Sequence, residues 1–243
     1  MERVLVLGAT SAIAAEVAVL HAGRGDRLHL VGRDDRKLAT LAARIPGCSV
    51  EIADLVEADG VALVQRAIDT LGGLDRVLIA HGALGSQLDT ERDAAAALDI
   101  IATNFTSAVA LLVPLANHFE KTRKGRIGVI TSVAGDRGRP RNYTYGAAKG
   151  ALGIYLQGVR TRLYASGVAV TTIKLGPVDT PMTRDHGKHA LFGKVHRVAR
   201  DIVRVMDRCE GEVYVPSVWA LLMPIVKSTP ERVFQKLAFL SGR

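Results

Sequence analysis

Seven short apolar runs recur along the 243 residues: RVLVLG at 3–8, RLHLVG at 27–32, CSVEIAD at 48–54, DRVLIAHG at 75–82, RIGVITS at 126–132, VAVTTIKLG at 168–176 and GEVYVP at 211–216. Each except the last leads into helix-like sequence. This rhythm constrains the fold more than any other feature. Strands separated by helices run parallel, and a parallel sheet needs helices on both faces to cover it. The expectation is an α/β chain with a doubly wound parallel sheet. It forms a single domain over 1–243, because no Pro/Gly/Ser-rich linker or charge block interrupts the alternation. Residues 216–243 read as a hydrophobic, amphipathic helical tail. Such a sheet binds ligands at the carboxyl ends of its strands, so chemistry is sought in the loops that follow the apolar runs.

Composition removes several alternatives. Cys48 and Cys209 share no motif spacing with each other or with a histidine, which argues against a disulfide framework or a zinc site and for a reducing compartment. The opening MERVLVLGAT is too short and wrongly flanked for a signal peptide, and no uninterrupted apolar run reaches the ~18 residues that span a bilayer. A cytoplasmic protein is expected. The net charge of +8 is concentrated in the last quarter, where residues 184–243 hold eleven lysines and arginines against six acids. An anionic membrane face or an acidic substrate and cofactor could answer that charge. Nucleic acid is not expected as a partner, because no nucleic-acid motif accompanies it.

The first loop, GATSAIAAEVA, opens a helix directly after a strand. Gly8 supplies a tight turn, and the amides around Thr10, Ser11, Ala12 and Ile13 can hold a pyrophosphate at the helix N-terminus, as in a Rossmann fold. Ala12 and Ala14 stand where two further glycines are usual, and alanine is the smallest intrusion there. At the end of the second run Gly32-Arg33 replaces the acid that would bind the ribose hydroxyls of NAD. Arg33 can pair with the extra phosphate of NADP, so NADP(H) is the expected cofactor, with NAD(H) the alternative, and Gly32 leaves room for that phosphate. Asp34 reads as the N-cap of the next helix.

TYGAAKG places Tyr145 and Lys149 four apart on one helix face, where an ammonium would lower a phenol pKa that is ordinarily about 10. Ser132 ends the fifth run thirteen residues earlier. With the glycine loop, these residues resemble the short-chain dehydrogenase/reductase family over nearly the whole chain. The resemblance implies further roles. Asn104 in ATNFTSA would anchor a water linking Lys149 to solvent. Asp54, with Leu55, would meet the adenine. His81 and Gly82 of AHG would stand where Asn-Ala-Gly is usual. Gly176, Val178 and Thr180 of LGPVDTPM would line the nicotinamide, although Leu175 replaces a proline. The implied reaction is reduction of a carbonyl by hydride, with Tyr145 giving the proton, Ser132 binding the oxygen and Lys149 favouring the phenolate and holding the nicotinamide ribose. A homo-oligomer, dimer or tetramer, is likewise implied.

Two segments bear on the substrate. AGDRGRPRNY sets Arg137, Arg139 and Arg141 between Ser132 and Tyr145, as a solvated turn, an interface cluster or a contact to an anionic substrate. In the tail, Val233, Leu237 and Leu240 fall at helical spacing beside Arg232 and Lys236, for packing on the domain, on a sister subunit or on an anionic membrane surface. LGATSAIA, AHG, SVAGDRGR and this tail look most similar to the branch of the family containing the decaprenylphosphoryl 2-keto-ribose reductase, which implies a lipid-linked or phosphorylated keto-sugar as substrate. A soluble hydrophobic ketone, a 3-oxoacyl substrate and a non-catalytic nucleotide-sensing scaffold are the alternatives. His186 and His189 read as part of a lid over the substrate rather than as a metal pair.

Overall fold

The computed structural model describes residues 1–184 and 191–237, so His186 and His189 lie outside the described residues. All seven apolar runs form strands: β1 Arg3–Leu7, β2 Arg27–Gly32, β3 Ser49–Ile52, β4 Arg76–Ile79, β5 Arg126–Ser132, β6 Ala169–Leu175 and β7 Glu212–Val215. They make one sheet of order β3-β2-β1-β4-β5-β6-β7, parallel throughout. The helices between them are α1 Ala12–Ala22, α2 Asp35–Ala43, α3 Gly60–Leu71, α4 Gln87–Thr90, α5 Ala94–Ile101, α6 Ser107–Thr122, α7 Tyr143–Tyr164 and α8 Val195–Asp207.

Strand alternation divides the core in two. Leu5 and Leu7 of β1 face the side packed by Leu63, Leu111, Leu112 and Leu156 from α3, α6 and α7. Val4 and Val6 face the opposite side, with Ile13, Val17, Leu38, Val198 and Ile202 from α1, α2 and α8. Each fully buried aliphatic side chain contributes about 1.5–3 kcal/mol, which is why both faces must be covered. Three arginines of the last quarter lie on the outer side of one amphipathic helix. In α8 the residues Val198, Ala199, Ile202, Val203 and Met206 are buried, while Arg197, Arg200 and Arg204 occupy the exposed side.

Residues Ala94–Thr122 form a continuous helical stretch of 29 residues, long and apolar enough by length and composition to cross a membrane. Asp99, Thr103, Asn104, Thr106 and Ser107 interrupt its apolar sequence. Its α6 portion packs Leu111, Leu112, Leu115 and Phe119 into the core.

The tail forms α9 Trp219–Ser228 and α10 Glu231–Phe234. α10 ends at Phe234, so the expected helical spacing does not run on from Val233 to Leu237, and Leu240 lies outside the described residues. Trp219, Met223, Val226 and Phe234 bury against Val133, the residue after Ser132. The tail thus packs onto the carboxyl edge of the sheet beside β5.

Candidate active site

Strand order reverses between β1 and β4, and a cleft of about 420 Å³ opens there at the carboxyl edge. Gly8, Thr10, Ser11, Ala12, Ile13, Arg33, Asp54, Leu55, His81, Gly82, Ser132, Tyr145, Lys149, Gly176, Val178 and Thr180 all line it. Asn104 does not; it lies behind Gly82.

At one end, Gly8 adopts φ +81°, and a Cβ there would come within 2.6 Å of the His81 amide nitrogen. Only glycine permits both that conformation and that approach. The α1 N-cap, Ser11, makes no side-chain cap bond. The first helical amides therefore face the cleft without a capping oxygen, which fits a diphosphate. Ala14 is fully buried in the core, so the alanine departures from a glycine loop leave this cradle formed.

Arg33 is largely exposed and sits 3.6 Å from the Asp54 carboxylate, whose other oxygen accepts from the Val56 amide at 2.9 Å. Asp34 caps α2 as expected, accepting from the Lys37 amide at 3.0 Å. Lys37 also lines the cleft, and sequence reasoning missed it. Gly32 also lines the cleft, and a Cβ there would come within 2.9 Å of Thr10 Cγ2.

At the other end, α7 presents Tyr145 and Lys149 one turn apart, with the Lys149 Nζ 5.9 Å from the Tyr145 ring centroid. Burial pushes the phenol up to about 12, opposed by a hydrogen bond with Ser132, and pushes the Lys149 ammonium down to about 8. The expected lowering of the phenol by Lys149 does not occur in this structure, because desolvation outweighs charge at that distance. Lys149 Nζ instead donates to the Ile130 carbonyl at 3.2 Å.

Three glycines hold Ser132 against this pair. The turn Val133–Asp136 lies so close to α7 that a Cβ on Gly135 would meet the Gly150 nitrogen at 2.7 Å, one on Gly150 the Gly135 carbonyl at 2.8 Å, and one on Gly146 the Ala134 carbonyl at 2.7 Å. Nothing in the spacing of Gly135, Gly146 and Gly150 marks this close approach in the sequence.

Asn104 occupies a π-helical turn, Ala102–Thr106, between α5 and α6. Its amide donates to the Ala83 and Ile100 carbonyls at 2.7 and 2.9 Å, and its oxygen accepts from the Ala83 nitrogen at 3.2 Å. A Cβ on Gly82 would lie 2.7 Å from Asn104 Oδ1 and 3.2 Å from Lys149 Nζ. The π turn frees the Ile100 carbonyl, and the Asn104 side chain satisfies it.

His81 is half-buried, with Nε2 2.8 Å from Ser107 Oγ, which itself donates to the Thr103 carbonyl at 2.9 Å. Nε2 therefore carries the proton. Burial, with Lys149's charge, depresses its pKa from the ordinary 6.5 to about 3. The unfolded chain thus binds a proton that the folded chain refuses between those values, so stability falls as pH drops from 6.5 toward 3 and this contribution vanishes above 6.5. At pH 4.5, urea denaturation of His81→Gln is expected to show about 2–3 kcal/mol less acid-induced loss, relative to pH 7.5, than the parent protein.

The arginine loop divides. Arg137 donates to the Val226 carbonyl at 2.8 Å and to the Thr229 carbonyl, pairs with Glu231 at 2.9 Å, and covers the Phe234 ring at 3.9 Å. It anchors the tail. Arg139 is buried and lines the cleft, and Arg141 is exposed at its rim. Trp219, unforeseen from the sequence, lines the same end, its indole nitrogen filling the space beside Gly176.

Residues 2–190 match the family described as short chain dehydrogenase. An uncharacterized oxidoreductase of Streptomyces coelicolor is 30% identical over 238 residues, covering 96% of this chain and 94% of the relative. One of Mycobacterium tuberculosis is 32% identical over 224 residues, covering 90% and 89%. Among solved structures, a short chain dehydrogenase/reductase family protein superposes with a TM-score of 0.79 at 26% identity, covering 88% of this chain and 97% of that one. Levodione reductase, at 21% identity and a TM-score of 0.79 over 87% and 95%, shares the fold.

Proposed function

The chain belongs to the short-chain dehydrogenase family and is an NAD(P)-dependent oxidoreductase, and from that premise we propose that it prefers NADP(H) and reduces a ketone to a secondary alcohol. The observation that carries this reading is the convergence of Ser132, Tyr145 and Lys149 at one end of a cleft whose other end holds Arg33 and Lys37. When bound, the cofactor supplies the hydride. Arg33 and Lys37 would take the phosphate that distinguishes NADP, and the α1 N-terminus the diphosphate. Tyr145, protonated at neutral pH, gives its proton to the carbonyl oxygen as charge develops there, and Ser132 donates a hydrogen bond to that oxygen. Lys149, held near titration, supports the phenolate that results and binds the nicotinamide ribose. Asn104 fixes the Gly82–Ala83 backbone beside Lys149 and has a free lone pair on Oδ1 for the water that links Lys149 to solvent.

The substrate is read as a lipid-linked or phosphorylated keto-sugar. The arginine loop supports this, as does the outward face of α9, where Leu221 and Ile225 are 75% and 64% exposed beside a partly exposed Val218. This face would meet a lipid surface at the inner side of the membrane. A second copy of the chain would cover Leu98 of α5 and Ile154 of α7, exposed apolar residues on two helices that pack together. NADPH consumption across a ketone panel tests the reading: a 2-keto pentose with and without phosphate, a hydrophobic ketone and a 3-oxoacyl thioester. Turnover of one of these with NADPH is the expected result. NADPH binding without any turnover would favour the nucleotide-sensing scaffold.

A further inference from the structure

Arg139 is 92% removed from solvent, at 8% exposure, yet no carboxylate lies within ion-pair distance of it among the described residues. Its Nε has no hydrogen-bond partner, and its best contact is a weak one from Nη2 to the Met223 sulfur at 3.7 Å. The nearest acid to act on it, Asp136, is already committed to Lys174 at 2.6 Å and to the Tyr214 hydroxyl at 2.7 Å. A buried guanidinium without a counter-charge is expensive and is retained only where something compensates it. Two further buried polar atoms are left open on residues lining the same end of the cleft, Trp219 Nε1 and Asn142 Oδ1. The turn from Arg139 to Asn142 closes directly onto α7, three residues before Tyr145. The guanidinium is therefore on the substrate side of the cleft, remote in the fold from Arg33 and the α1 N-terminus.

We propose that Arg139, with the Trp219 indole N–H, is the receptor for an oxyanion carried by the substrate, a phosphate ester or a carboxylate on the ketone whose oxygen meets Tyr145 and Ser132. This rests on the reductase reading for the carbonyl and goes beyond it by assigning the anion. It also separates the three arginines of the loop: Arg137 anchors the tail, Arg139 receives the anion, and exposed Arg141 adds charge at the rim. Burial and the charge of Arg141 both press against the protonated state of Arg139 until an anion arrives. The planar donor fork then suits a tetrahedral or planar oxyanion equally, which leaves the two sources to experiment.

Trp219 is the only tryptophan in the chain, so intrinsic fluorescence reports on this end of the cleft. Inorganic phosphate, dimethyl phosphate and acetate would be titrated at constant ionic strength into the protein alone and into protein saturated with NADP⁺, where the α1 cradle is filled. A saturable Trp219 response to at least one of the three is expected in both, and the anion with the strongest response identifies monoester, diester or carboxylate. Arg139→Met should weaken that response at least tenfold, Arg139→Lys should restore part of it, and the Met variant should melt higher than the parent because an uncompensated charge has left the interior. An unchanged response in Arg139→Met, or no response in the parent protein, overturns the proposal. Failure of the reductase reading would look different, as absent nicotinamide binding with the Trp219 response intact.

Discussion

Tyr145→Phe should lower turnover by about 10²–10⁴-fold, the contribution ordinarily made by a positioned proton donor, while leaving cofactor affinity within a few-fold of the parent. The phenol is the acid in the cleft with a matched partner: it is raised to about 12, hydrogen-bonded with Ser132, and one turn from Lys149. Phenylalanine keeps the ring and removes only the O–H, so the stability cost is that of one hydrogen bond, about 1 kcal/mol. Steady-state kinetics beside a nicotinamide fluorescence titration would separate the two effects. Near-parental turnover in the variant would assign the proton to another group. Tyr143, on the exposed side of α7, has no lysine one turn on, since Ala147 stands there.

The second large effect should come from a residue that touches no substrate. Gly150→Ala forces a methyl group to 2.8 Å from the Gly135 carbonyl, a backbone atom that cannot turn aside. The turn carrying Ser132 must then move away from the helix carrying Tyr145 and Lys149. Overpacking of this kind costs about 1–3 kcal/mol, partly offset by up to about 1 kcal/mol of improved helix propensity. The loss of activity should be on the order of 100-fold, because an ångström of misplacement between reacting groups is enough. Gly158→Ala is the control: its Cβ would meet nothing within 4 Å, so it should hold or raise the melting temperature and keep full activity.

The framework of this protein was readable because parallel strands are covered on both faces and appear as bare apolar runs. β1, with Val4 to Leu7 buried on alternating sides, is the clearest case. The cleft was readable because the strands end in residue types that have few other uses there, such as Gly8 just after β1 and Ser132 at the end of β5. What spacing could not show was contact between segments distant in sequence. Nothing in AGDRGRPRNY distinguishes Arg137 from Arg139, because an irregular loop has no period. Their division depends on α9 and α10 returning to the catalytic edge, where Arg137 meets backbone carbonyls and Arg139 meets Met223 and the cleft. The tail shows the same limit: its apolar spacing does not reveal that Trp219, Met223, Val226 and Phe234 fold back onto Val133. The direction of the Tyr145 shift was also hidden, since sequence supplies the neighbouring charge and not the depth of burial.

A fluorescence titration of NADPH and NADH into the parent protein and Arg33→Ala tests the proposed NADP(H) preference most directly. A charge-assisted phosphate contact is worth about 1.5–3 kcal/mol, so NADPH should bind the parent protein roughly 10- to 100-fold more tightly than NADH. Most of that preference should disappear in Arg33→Ala, with NADH affinity little changed. Equal affinity for the two nucleotides in the parent protein would contradict the assignment of Arg33. Binding of neither would mean that this cleft does not serve a nicotinamide cofactor.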